Sequence, residues 1–286
     1  MAASWQRLGA AVGCTGIGVN RVRIEPGRLS TPPHSHGASE EIVFVLGGTG
    51  FSWQDEQVYE LRPGDCVVHL ADHEEHTLRG GPDGLEVLIC GTRHPTEIGW
   101  LPRSRAIRFG WPWVEGRTDD PWDIEAAAEP LVFGEVAARP SSIVNIDDTE
   151  VVSSAESDCE VEIRYLGREA GSVDTGMRHE VVVDGKLNCP PHCHGAEEEF
   201  FLVLDGEGTC LLGDDELLVR RGSIVGRPPG TGVPHAFRGP ITLLTYGTRE
   251  PNDICYYPRS NKVGFWGVGV VARIESIDYW DGEPPS

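Results

Sequence analysis

Residues 32–50 read PPHSHGASEEIVFVLGGTG, and residues 190–208 read PPHCHGAEEEFFLVLDGEG. The two stretches lie 158 residues apart and are identical at 12 of 19 positions. Working outward, Leu8-Gly9, Gly13, Gly18, Gly27 and Leu29 map onto Leu166-Gly167, Gly171, Gly176, Gly185 and Leu187 at the same offset. Downstream, GTRHPTEIGWLPRS (91–104) returns as GTREPNDICYYPRS (247–260) at an offset of 156, and Trp122-Asp123 has a counterpart in Trp280-Asp281. A long, nearly constant offset marks duplication of a whole domain, not a solenoid of short units. The seam is placed near residues 136–150, which predicts an N-terminal unit (1–135) with an aromatic-rich extension and a C-terminal unit (136–286) with a repeated tail.

Within each copy the pattern is of short strands punctuated by turns. Ile42 to Leu46 and Phe200 to Leu204 are apolar runs closed by Gly47-Gly48 and Asp205-Gly206. Arg62-Pro63-Gly64-Asp65 and Arg221-Gly222-Ser223 read as turns into Cys66-Val67-Val68 and Ile224-Val225. No long stretch has a helical period, and the one predicted helical turn lies around Ile124 to Ala128. Many short strands with Gly/Pro turns predict an all-β chain of sandwich or barrel type.

His34 and His36 are two apart, so both side chains leave one face of a strand; His192 and His194 repeat the pair. Glu41 and Glu199 each follow the second histidine by five. In one unbroken strand that odd spacing would send the carboxylate to the opposite face. Gly37-Ala38 and Gly195-Ala196 can break the strand, so that Glu41 and Glu199 open a neighbouring one. A third histidine follows in each copy, His76 and His235. Three neutral imidazoles and one carboxylate suit a divalent first-row metal, with positions left over on an octahedral ion. The predicted ligands are His34, His36, Glu41 and His76 in the first unit, and His192, His194, Glu199 and His235 in the second. Iron, manganese, nickel, copper and zinc are not distinguished by this donor set.

The order G-x6-HxH-x4-E-x6-G, read here as Gly27, His34, His36, Glu41 and Gly48, resembles the first cupin motif; the second copy reads Gly185, His192, His194, Glu199 and Gly206. The second cupin motif, a turn and then a Pro-x-Gly-x-x-His loop, has its likeness in Gly222 to His235 and in Pro63 to His76. The first copy departs from it, with Leu70-Ala71-Asp72 where Pro and Gly are usual and an extra residue before His76. That leaves His73 as a rival ligand; HTLR at His76 matches HAFR at His235, which favours His76. The resemblance covers nearly the whole chain. It implies a bicupin of two tandem double-stranded β-helix (jelly-roll) barrels, with one metal in each.

Other residues are read as structural. Cys193 lies between two histidines, so alternation turns its thiol away from the metal. His69 and His73 are expected to form local hydrogen bonds, and Arg93 and Arg249 to sit in salt bridges. Trp100, Trp111, Trp113 and Trp122 are expected to cover a barrel end or the interdomain seam rather than line a pocket mouth.

The chain has 286 residues, 39% hydrophobic and 24% charged, which is ordinary globular usage. A net charge of −21 argues against nucleic-acid or anionic-membrane partners. No apolar run approaches the roughly 18–20 residues of a membrane span. Residues 1–11 lack a signal-peptide core. Eight cysteines without CxxC spacing read as free thiols of a cytoplasmic protein. The expected partner is a small-molecule substrate. Cupins associate through barrel edges, but two barrels in one chain can already supply that pairing, so homo-oligomers remain an open expectation. The resemblance implies a metal-dependent oxidoreductase of dioxygenase type. The alternatives are a redox-neutral isomerase, epimerase or lyase, and a non-catalytic binding or storage protein.

Overall fold

A computed structural model describes residues 1–71, 74–109 and 121–282. Each half builds one large antiparallel sheet and one small one. In the first half a seven-stranded sheet runs, in spatial order, Ala3–Arg7, Ile17–Ile24, His76–Thr92, Glu41–Gln54, Asp65–His69 and Ile143–Asn145, with Gln57–Leu61 paired to Glu41–Gln54. Ser35–His36, Ile98–Leu101 and Ala106–Phe109 form a three-stranded sheet. The second half repeats the plan around Thr175–Val182, Ile241–Thr248 and Glu199–Leu212, with a four-stranded sheet that begins at Cys193–His194. The described helices are short: Leu8–Ala11, Pro121–Ala126 and Leu166–Glu169. The first and last escape a periodicity search because one turn is too short to show a period.

The apolar runs read from sequence are strands buried on both faces, and the two faces do different work. Val43 and Val45 join Val22, Val67 and Val87 in the first barrel's interior. Ile42 and Phe44 point the other way. They meet Phe200, Leu202, Leu244 and Tyr246 of the second half in a single core that also takes in Ile17, Leu88, Leu166 and Met177. The second barrel's interior holds Phe201 and Val203 with Val161, Phe237 and Leu243. The barrels therefore pack sheet against sheet.

Gly48 and Gly206, both recurring motif glycines, have φ of 73° and 82°. They lie where the long strands slip register against their neighbours, after Val45 and after Val203. A side chain there would collide with the carbonyl oxygen of Gly84 or of Pro240, so the bend needs glycine twice over.

The chain beyond residue 135 turns back over the first barrel. Val136 bridges Val58, and Ile143–Asn145 pairs with Asp65–His69. Asn145 Nδ2 donates to Asp65 Oδ1 at 2.7 Å, and both Arg139 Nη atoms reach the same carboxylate at 2.6 Å. Strand pairing thus ties residues 143–145 to the first sheet.

The seam is locked by two buried carboxylates in equivalent places. Glu198 accepts the backbone N–H groups of Thr15, Gly16 and Ile17 at 2.9, 2.7 and 2.9 Å. Glu40 accepts those of Val173, Asp174 and Thr175 at 2.7, 3.2 and 3.1 Å, together with the hydroxyls of Ser172 and Thr175. Arg249 Nη1 donates to Ser172 O at 2.9 Å on the same turn, and Arg93 lies beside Gly18; both sit at the seam, but among the described residues neither makes the salt bridge expected of it. Replacing Glu198 with Ala would strand three backbone donors in the seam. Glu198→Ala should therefore lower unfolding free energy by about 2–4 kcal/mol in urea titrations; an unchanged midpoint would show that the clamp does not tie the barrels.

Candidate metal centres

Backbone pairing brings the ligands together. His34 and His76 exchange N–H···O bonds of 3.2 and 2.9 Å across adjacent chains, and His192 and His235 do the same at 3.1 and 2.8 Å. His36 and His194 lie on the two-residue strands Ser35–His36 and Cys193–His194, and Glu41 and Glu199 open the long strands, so Gly37-Ala38 and Gly195-Ala196 do separate them.

In the first barrel the His34, His36 and His76 ring nitrogens lie within 4.8 Å of one another. Glu41 stands 3.9 Å from His36 Nε2 and 3.6 Å from His76 Nε2. In the second, His192, Glu199 and His235 form the same kind of group. His194 Nε2 is 3.4 Å and His235 Nε2 2.9 Å from Glu199 Oε2. The eight residues picked from sequence thus converge four and four. His73 lies outside the described residues, as do Trp111 and Trp113.

Second contacts aim the rings. His34 Nδ1 faces Pro32 O at 3.0 Å and His192 Nδ1 faces Pro190 O at 2.9 Å. His36 Nδ1 meets Glu97 at 3.1 Å, and His194 Nδ1 meets Asp253 at 2.7 Å. With Nδ1 engaged, Nε2 is left for the cluster. Among the described residues the Nε2 atoms of His76, His194 and His235, and Oε2 of Glu199, are buried without a hydrogen-bond partner. One of these atoms lies in the first cluster and three surround the second, and unsatisfied lone pairs facing one point are what a bound cation would satisfy, so the donor set fits a divalent transition metal.

Electrostatics agree. Burial, then the neighbouring imidazoles, holds His34 well below its usual range, and burial with His235 brings His192 down to about 4. Burial alone would raise Glu41 and Glu199, but the hydrogen bonds and charges of the histidines outweigh it and hold both well below the carboxylate range. Neutral imidazoles and ionised carboxylates are the forms a metal takes. His194 differs: burial opposes its charge, yet Glu199 and then Asp253 push it up to about 9.

Several residues near the centres escaped the sequence reading. His69 makes its expected local bond, Nδ1 to Glu74 at 2.6 Å, but its ring also stacks on His76 at 3.9 Å and 8°. Trp122 stands edge-on to His34 at 5.3 Å, beside the first centre. Its helix, Pro121–Ala126, is anchored by buried Glu125, which accepts the N–H groups of Arg103 and Ser104. At the second centre Tyr257 takes that place, 5.6 Å from His192, while Trp280 is exposed. Cys193 belongs to no ligand group among the described residues, whereas Cys255 lies with His192 and His194. Glu97 and Asp253 had a visible signal, since both stand at the same position of the GTR repeat. A groove of about 780 Å³ beside Pro191 and Pro234 reaches none of the ligands.

The cupin domain model matches residues 20–84 and 173–242. No curated protein matches the chain in sequence. Among solved structures the chain is similar to the oxalate decarboxylase of Lactobacillus farciminis in its formate complex, at 13% identity over 88% of this chain and 82% of that one, with a TM-score of 0.55. It is similar to a mutant of Bacillus subtilis oxalate decarboxylase at 12% identity, 86% and 72% coverage and a TM-score of 0.54. A sugar phosphate isomerase of the cupin superfamily from Silicibacter pomeroyi matches at 36% identity over 34% of this chain and 64% of that one, with a TM-score of 0.34. At these identities the decarboxylases speak for the fold alone. The chain carries two cupin domains, and its fold is that of a bicupin, two tandem cupin barrels with a histidine–glutamate cluster placed for metal in each. No described helix is long and apolar enough to cross a membrane.

Replacing His192 or His235 with Ala should lower metal content by about one ion per chain in elemental analysis, because a ligand is lost from one centre. Unchanged stoichiometry would reject the second centre. Asp253→Asn, which keeps the size but weakens the grip on His194, should cost roughly 10–100-fold in metal affinity by competition with a chelator.

Proposed function

We propose that the protein is a metal-dependent oxidoreductase of dioxygenase type that acts on a small organic molecule at its three-histidine, one-glutamate centres. The observation that carries this reading is the pair of converging clusters, each with the Nδ1 atoms of its HxH histidines anchored outward and Nε2 and carboxylate turned inward. Four protein ligands leave two positions on an octahedral ion, enough for a small chelating molecule or an oxidant. A redox-active divalent metal bound there supplies the electron transfer that dioxygen chemistry needs.

The chain's own part is orientation and exclusion. Glu97 and Asp253 hold His36 and His194 in one ring orientation, and Glu41 and Glu199 bring one negative charge each. Trp122 and Tyr257 place an aromatic wall against a ligand histidine, which narrows access for water. In this reaction type both atoms of one dioxygen enter one substrate, so no outside reductant is consumed.

The test is metal analysis of protein purified without chelators, combined with an oxygen-electrode screen against small carbonyl compounds and catechols. Iron, copper or manganese together with substrate-dependent oxygen uptake is the expected result. Zinc with turnover but no oxygen uptake would replace this reading with a redox-neutral isomerase, epimerase or lyase. Metal without any turnover would leave a binding or storage protein.

A further inference from the structure

The two barrels share their ligands but not their inner walls. In the first barrel the inward positions near the cluster hold Asn20, Val22, His69 and Ile89. The matching positions of the second hold Arg178, Glu180, Arg227 and Thr245. Strand alternation fixes their direction. Val182, Phe201 and Leu243 form the second interior core, and Arg178, Glu180 and Thr245 are in phase with them. Arg227 is in phase with Val225, which packs on the same core.

Arg178 touches the cluster itself. Its Nη2 is 3.4 Å from Glu199 Oε1 and its Nε is 3.2 Å from Glu180 Oε1, while 38% of the side chain is open to solvent. Asn188 Nδ2 donates to Glu180 Oε2 at 3.2 Å and so steadies that partner. Thr245 is paired across the sheet with both Arg178 and Phe201; it is 2% exposed, and its Oγ1 has no hydrogen-bond partner among the described residues. Arg227 pairs across the sheet with Glu199 and is 8% exposed. Its Nη2 donates to Val233 O at 2.5 Å and to Thr231 Oγ1 at 3.0 Å, but its Nε is buried with no acceptor among the described residues. Buried donors without acceptors are costly. Here one lies opposite Glu199 and the other opposite Phe201, on the same inward face, and a reachable guanidinium rests on the Glu199 carboxylate.

We propose that the second barrel, and not the first, carries a subsite for a small carboxylate anion, formed by Arg178 and Thr245 with Arg227 on the far side of Glu199. With Nε and Nη2 of Arg178 on Glu180 and Glu199, its Nη1 is the charged donor left for a carboxylate, and the Thr245 hydroxyl donates to the same anion. One carboxylate of the substrate is held there while its neighbouring oxygen faces the metal ligands. In the first barrel, Asn20 and Ile89 offer neither the charge nor the hydroxyl. This inference rests on the metal-centre reading above and names the substrate class of its second centre.

The test is isothermal titration of the zinc-loaded, full-length protein with malonate and with its neutral analogue malonamide. Malonate should show one tight site per chain, with malonamide weaker by about 100-fold because the charge-assisted bonds are lost. The double variant Arg178→Asn/Glu180→Val writes the first barrel's residues into the second. It should weaken malonate by at least about tenfold at unchanged zinc content. If that variant loses zinc, Thr245→Val, which removes little more than the hydroxyl, decides, with an expected loss of roughly three- to tenfold. Equal affinity for malonate and malonamide, or malonate affinity unchanged in the deciding variant, overturns the proposal. Zinc binding assays involve no oxygen uptake, so a protein that fails the dioxygenase test can still pass this one.

Discussion

At residues 40–41 and again at 198–199 the chain places two consecutive glutamates at the start of a long strand, and the pleat sends them to opposite faces. Glu41 and Glu199 turn into their barrels and meet the imidazoles. Glu40 and Glu198 turn outward and take up the backbone donors of the other barrel's turn. One element of local geometry, the two-residue repeat of a strand, therefore positions the candidate metal ligand and locks the seam together. A one-residue slip of either strand would put the clamp carboxylate in the barrel and the ligand in the seam, so register is specified twice over.

The same alternation organises the core. Residues of one parity fill the barrels, and residues of the other parity form a single hydrophobic layer shared by both halves. The seam is thus both apolar and hydrogen-bonded. Its two buried carboxylates are satisfied in matched fashion, which is what permits charged side chains with 1% and 2% exposure. Duplication explains why the pairs match, since each half presents the same glutamate and the same turn to the other.

Against this shared frame the two interiors diverge. The ligands and their outward Nδ1 partners are kept, with glutamate at 97 and aspartate at 253, but the walls around them are not. The first centre has a histidine stacked on a ligand and a tryptophan at its edge. The second has guanidiniums, a buried hydroxyl and a tyrosine. Interior positions feel packing and charge rather than the fold's topology, so they can change while the scaffold stays the same.

Much was legible in residue order. Duplication, strand-and-turn texture and the convergence of the eight candidate residues all follow from repeat offset, period and donor chemistry, because a repeated HxH with a following glutamate has few other physical uses. The HTLR and HAFR likeness pointed to His76, which does lie beside His34 and Glu41. Other features were settled only by the tertiary structure. His69 and Trp122 reach the first centre, Arg178 and Thr245 reach the second, and residues 143–145 join the first sheet. Each depends on which strands become neighbours, and pairing between segments far apart along the chain leaves no local pattern to read.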